Sequence, residues 1–163
     1  MVLRLAAACG TAAVLAFAGS ANAQVLTQKD VSARMAWTII EAAIAACEKD
    51  GYSISVAVLD RVGRYRGYLQ GDKASPTNIE LARRKAYTAR TFGRTTLEWA
   101  QRTETNVPGQ RSLSEVIPLQ GGVPIKVGED TIGGVGLSGA PNGGPQEEAC
   151  GKAGIAKVAD QLK

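Results

Sequence analysis

The sequence predicts an α+β fold: a five-stranded antiparallel sheet flanked by helices in three layers. Three observations predict it. Segments of strict apolar alternation come in pairs separated by tight turns, which is the mark of antiparallel hairpins. Stretches with a helical apolar period stand before, between and after those pairs. The order is helix, two strands, helix, three strands, helix, so the helices cover the sheet rather than alternate with single strands. The chain has 163 residues, 45% of them hydrophobic, enough for one domain with one core.

The elements follow in order. Thr27 is placed to cap the first helix, with Asp30 at its third position. Val31, Met35, Ile39, Ala42, Ala43 and Ala46 form its apolar stripe, and Lys49-Asp50-Gly51 stops it. Ser53–Leu59 alternates as a strand, Asp60-Arg61-Val62-Gly63 turns the chain, and Arg64–Leu69 alternates as the hairpin partner. Ser75-Pro76 opens the next helix. Glu80 supports Arg83 and Arg84 at helical spacing, Ile79, Ala82, Ala86, Ala89 and Phe92 make the buried stripe, and Gly93 ends it. A short helix runs from Thr95 or Thr96 to about Gln101, and Thr103–Leu113 reads as loop. Three short strands follow at Glu115–Leu119, Val123–Val127 and Thr131–Leu137, turning at Gly121-Gly122 and Gly128-Glu129-Asp130. Gln146–Leu162 is the last helix.

The N-terminus carries an expected export signal. Arg4 precedes an apolar run from Leu5 to about Ala18, and Ala21-Asn22-Ala23 is a small-x-small cleavage site. The run is short for a transmembrane anchor, and Cys9 lies inside it, which does not suit a lipid anchor. Cleavage after Ala23 leaves a single domain, 24–163, in a periplasmic or secreted location. Without Arg4 the 19 basic residues become 18 against 15 acidic ones, a net charge of +3. That balance is too mild for a nucleic-acid partner. The basic residues cluster at Arg61, Arg64 and Arg66 and from Arg83 to Arg94, suiting either an anionic small molecule or solvated faces. Cys47 and Cys150 remain after cleavage. In an oxidising compartment a disulfide is the simplest reading, with two buried thiols as the alternative.

Chemistry is narrowed mostly by exclusion. Histidine is absent, which removes Ser-His-Asp and Cys-His catalysis and histidine-ligated zinc or haem. Gly134-Val-Gly136-Leu-Ser-Gly139 matches G-x-G-x-x-G. Too little chain follows for a βαβ unit, so these glycines are expected to let a helix or ligand approach a strand closely. Ser138 lacks a hydrolase context. Asp60 and Asp72 are spaced as turn residues, Glu147-Glu148 suits a helix's first turn, and no carboxylate cluster has metal spacing. Arg83-Arg84-Lys85-Ala-Tyr87-Thr88 is the densest functional-looking segment. On a helix Arg84, Tyr87 and Thr88 share a face able to bind a carboxylate, or serve a surface helix with ion pairs.

Four strings in order now carry a resemblance: Ile54-Ser-Val-Ala-Val-Leu-Asp60-Arg-Val-Gly63, Arg84-Lys-Ala-Tyr87-Thr88-Ala-x-x-Phe92-Gly93-Arg94, Gly121-Gly122-Val-Pro124, and Ile132-Gly-Gly-Val-Gly136-Leu-Ser138-Gly139. Together they resemble the GlcG/HbpS-like family over nearly the whole mature chain. The resemblance implies a profilin-like fold, homo-oligomers, a small-molecule ligand with haem as the cofactor, and no transmembrane anchor. It implies a ligand pocket near Asp60, Lys85, Tyr87, Phe92, Gly121 and Gly122, to which Arg84 is added as an anion contact. Without histidine, haem would need another ligand, and Tyr65, Tyr68, Tyr87 and Met35 are the candidates. The competing class is an accessory enzyme of isomerase or lyase type, with Tyr87 and Lys85 as acid and base on a small oxo- or hydroxy-acid.

Overall fold

The computed structural model describes residues 25–163; the expected leader and its cleavage site lie outside the described residues. The first helix, α1 (Ala33–Glu48), starts six residues later than Thr27, because Ser32 is the cap and accepts from the Met35 amide. The Asp30 carboxylate is taken elsewhere, by the amides of Val31 and Arg61. The hairpin forms as expected from β1 (Ser55–Asp60) and β2 (Tyr65–Gln70). Helix α2 (Asn78–Phe92) ends at Gly93, whose φ of 63° is the left-handed stop. Helix α3 (Thr96–Thr105) begins with a capping box between Thr95 and Glu98 and runs past Gln101. A 3-10 turn at Pro108–Ser112 interrupts the expected loop. Strands β3 (Gly122–Val127) and β4 (Asp130–Ser138) then form the second hairpin. Helix α4 (Gly144–Ala156) ends short of Leu162, and a 3-10 turn takes Ala159–Gln161.

The sheet has four strands, ordered β2-β1-β4-β3 and antiparallel throughout. The fifth expected strand, Glu115–Leu119, is not one. Its backbone bonds to helix α2 instead of a neighbouring strand. The Ile117 amide donates to Thr88 Oγ1 at 2.9 Å, and the Val116 carbonyl accepts from the Arg84 guanidinium at 2.6 Å. Glu115 has a φ of 70°, which breaks extended geometry. The apolar Val116 and Ile117 are buried, but under α2's flank.

Two sets of side chains build the three layers. On one face of the sheet, Val56, Val58, Val123, Ile125, Val135 and Leu137 pack with Ile39, Ile40, Ala43 and Cys47 of α1 and with α4. On the other face the sheet is nearly bare, and α2 lies on it. Gly136 pairs with Ala57, and Gly134 with Leu59. A Cβ at Gly134 or Gly136 would run into the Ala86 and Ala82 carbonyls. Ala82, Ala86 and Ala89 supply the flat helix face that fits. The glycine string expected to permit close packing does that. The disulfide is present: Cys47 and Cys150 are bonded, with Cα atoms 5.7 Å apart, tying α1 to α4. No helix among the described residues is long and apolar enough to cross a membrane.

Candidate functional site

The sequence-predicted site residues divide into two places. Lys85 lies in the sheet-facing stripe of α2, beside Ala82, Ala86 and Ala89. Its ammonium donates to Glu147 Oε2 at 2.6 Å and to the Leu137 carbonyl at 2.9 Å. Both side chains are about 95% buried, with relative exposures of 5% and 4%. The other Glu147 oxygen accepts from the amides of Gly139 and Ala140. The pair therefore joins α2, the end of β4 and α4 around the sheet. Gly121 passes directly over it. A Cβ there would lie 2.5 Å from Glu147 Oε2 and 3.1 Å from Lys85 Nζ, and its φ is 119°. Gly122 donates to Thr96 Oγ1 at 2.9 Å and leaves no room for a Cβ against the Lys85 carbonyl. This is a filled polar joint, not a cavity.

Arg84 and Thr88 also turn inward. They hold the Val116–Ile117 backbone, and Thr88 Oγ1 donates to the Arg84 carbonyl. Of the face shared by Arg84, Tyr87 and Thr88, Arg84 and Thr88 are thus engaged with the Val116–Ile117 backbone. Phe92 stacks on the buried Trp99, ring centroids 5.0 Å apart. Asp60 is buried at the end of β1. One oxygen accepts from the Val62 and Arg64 amides at 2.9 Å, and the other faces the Arg66 guanidinium at 3.3 Å. Its chemistry is spent on the β1–β2 turn.

Tyr87 belongs to the second place. Two residues from Lys85, it leaves the helix about 200° away, so the structure does not bring these two together as acid and base. Its ring lies against Gly63 of the β1–β2 turn, 2.8 Å from where a Cβ would stand. Just beyond the turn, Tyr65 and Tyr68 of the edge strand β2 approach with centroids 5.5 Å apart. They are 45% and 58% exposed. Tyr65 pairs with Leu59 and Tyr68 with Ala57, so both rings stand on the α2 side of the sheet. Arg83 borders them, joined to Glu80 and Glu115. Burial pushes the Tyr65 phenol above its ordinary range, with Arg83 pulling it back. The result is an open shelf of two phenols, Tyr65 and Tyr68, with Arg83 beside it and the Tyr87 ring against the adjoining turn.

Residue by residue, the haem-ligand candidates sort clearly. Met35 packs in the core, and both cysteines of the described chain are in the disulfide. Tyr52 packs against the core. Tyr65, Tyr68 and Tyr87 remain, and phenolate oxygen is a known ligand type for ferric haem. Among the described residues no group of three or more Cys, Asp or Glu is placed to hold a bare metal ion. A separate surface depression of about 280 Å³ is lined by Glu48, Gly51, Tyr52, Ser53, Asp72 and Lys73; it includes none of the predicted site residues. Sequence reasoning missed Glu147, read only as favourable first-turn charge. The signal was Lys85 itself: a cation inside an apolar stripe requires a buried partner. It also missed Arg83's tie to Glu115, which follows from the lost strand.

Comparison with known proteins agrees with this architecture. The GlcG protein of Escherichia coli K12 is 30% identical over 112 residues, 69% of this chain and 84% of that protein. The crystal structure of a Streptomyces reticuli HbpS double mutant superposes with a TM-score of 0.80 at 32% identity, covering 94% of this chain and 99% of that one. A PduOC:heme complex shares the fold, with a TM-score of 0.69 at 23% identity over 76% of this chain and 91% of that one. A family model described as haem degrading protein HbpS-like matches residues 31–156. With that span reaching from the end of the N-terminal approach to the last turn of α4, the chain belongs to the HbpS-like family.

Proposed function

We propose that this is an exported, homo-oligomeric small-ligand-binding protein whose ligand is haem, held on the tyrosine shelf of Tyr65, Tyr68 and Tyr87. The observation that carries the reading is the shelf: Tyr65 and Tyr68 approach one another on an exposed strip and the Tyr87 ring lies against the adjoining Gly63 turn, while every other candidate ligand among the described residues is locked in the core or in the disulfide. The phenol rings offer flat apolar area to a macrocycle, and one hydroxyl offers the iron an oxygen. Membership of a family described by haem degradation supports haem over other planar anions. Bound haem supplies a redox-active iron; this chain's part is to orient it and to exchange a phenol proton for the metal. Burial holds the Tyr65 proton on, so ligation through Tyr65 would release a proton and tighten as pH rises.

Haemin titration followed by absorbance tests this, with wild type beside Tyr65→Phe, Tyr68→Phe and Tyr87→Phe. The expected result is a saturable, stoichiometric Soret shift, weakened roughly tenfold or more, about 1.4 kcal/mol, by at least one substitution. A titration without saturation overturns haem as the ligand. A saturable shift equal in all four proteins overturns the tyrosine shelf as the site.

A further inference from the structure

Arg83, Tyr87 and Arg90 follow one another at four and three residues along α2, so their side chains leave the helix on one stripe. The stripe starts beside Tyr65, where the Arg83 charge acts on the phenol, and passes the Gly63 turn, where the Tyr87 ring lies. Arg90 comes about 4.5 Å further along the axis than Tyr87. There the helix lies hard against β4: a Cβ at Gly134 would stand 3.0 Å from Arg90 Cβ and 3.1 Å from its amide nitrogen. Arg90 differs from every other half-buried arginine among the described residues. Arg61 is paired with Asp130, and Arg83 with Glu80 and Glu115. Arg84 donates to the Val116 carbonyl and Arg94 to the Phe92 carbonyl. Arg90 forms no ion pair among the described residues, and its Nε is shut away from water without an acceptor.

The chain's own acceptors at this end of the sheet are already taken. Asp60, across from Gly133, holds the turn amides and faces Arg66. Asp130, at the head of β4, holds Arg61. The strand beneath Arg90 offers glycines, Gly133 and Gly134. A buried charged donor without an acceptor is costly, and such groups are rare in folded chains. We propose that Arg90 is an anion anchor, whose guanidinium fork takes a carboxylate from a bound ligand. The class of ligand follows from the stripe: an amphiphile with a flat apolar part for the phenol end and a carboxylate for Arg90. For haem that carboxylate is a propionate. The anchor deepens the haem reading and rests on it for the identity of the ligand, not for the carboxylate chemistry.

Two titrations separate the anchor from the haem reading. Glutarate, a plain dicarboxylate, is added to the haem-free, nitrogen-15-labelled protein at constant ionic strength, and the arginine Nε–H resonances are followed. The Arg90 signal is the one missing from Arg90→Gln. It is expected to move saturably, further than that of the exposed Arg34, and to stay in place with the uncharged glutaramide. An unmoved Arg90 signal, or an equal drift of all the arginines, overturns the anchor. Haemin and its dimethyl ester, whose propionates carry no charge, are then titrated against wild type and Arg90→Gln. The substitution is expected to weaken haemin binding about tenfold and to leave the ester's affinity and the far-UV spectrum unchanged. An equal loss for both ligands marks a structural role and overturns the anchor. If neither ligand saturates in wild type while glutarate moves the Arg90 signal, the haem reading falls and the carboxylate site stands.

Discussion

Lys85 is a strongly constrained residue of the molecule. Its ammonium and the Glu147 carboxylate are both shut away from water, and each is acceptable there only because the other is present. Removing one partner of such a pair leaves an uncompensated buried charge, which costs about 3–5 kcal/mol. Lys85→Met is therefore expected to lower the unfolding free energy extrapolated from urea titration by that amount without changing the far-UV spectrum at zero denaturant. The double variant Lys85→Met with Glu147→Leu is expected to recover much of the loss, since no orphan charge remains. A single-variant cost below about 1 kcal/mol would mean that water reaches the pair and that the joint is not closed. Gly121→Ala attacks the same joint from the backbone side. It places a Cβ against the carboxylate at a φ that suits glycine, so it is expected to destabilise in the same direction.

Among the elements, the helices and both hairpins were legible because their signals are local. The alternation of Ser53–Leu59 and the Gly93 stop are set by neighbours in sequence. What was not legible was decided by distant partners. Glu115–Leu119 has the pattern of a strand, yet Thr88 and Arg84 capture its amide and carbonyl from another element. Thr27 looked like a cap, but Ser32 took the role, and Asp30 was drawn to the β1–β2 turn. The site divided on the same line. Tyr87 and Asp60 were found by motif, while the partners that decide their roles, Gly63 and the turn amides, came only from the fold. The α1–α4 link was legible from the two cysteines left after the expected leader, as the simpler of two readings. The bond spans 103 residues, which the chain-entropy account values at about 4–5 kcal/mol. Replacing Cys47 and Cys150 with alanine is expected to lower Tm by roughly 10–20 °C. A calorimetric shift of only a few degrees would mean that α1 and α4 hold together by packing alone.

At the scale of the whole molecule, acid should act on the tyrosine shelf through the carboxylates that hold its surroundings. Burial raises the Asp30 carboxyl, but the amides of Arg61 and Val31 and the Arg66 guanidinium outweigh it and hold it below its ordinary 3.8. The hydrogen bond from Arg83 holds Glu80 below its ordinary 4.5. The Arg61 side chain does the same for Asp130. These carboxyls bind protons more weakly when folded than when unfolded, so the unfolded state takes up more protons as pH falls. The stability they contribute is therefore complete above the ordinary carboxylate range and is lost as pH drops through their lowered folded values. Tm is expected to hold level from about pH 7 to about pH 5 and to fall below about pH 4. Asp30→Asn should lower Tm at neutral pH and flatten the acid slope, because the lost group no longer titrates. Arg66 and the Arg61 amide connect Asp30 to the turn that carries Tyr65. The same substitution is therefore expected to weaken haemin binding at pH 7, where wild type keeps Asp30 charged. A wild-type Tm that rises on acidification, or an Asp30→Asn slope as steep as wild type's, would show that the ties between the N-terminal approach, the turn and the shelf carry no stability.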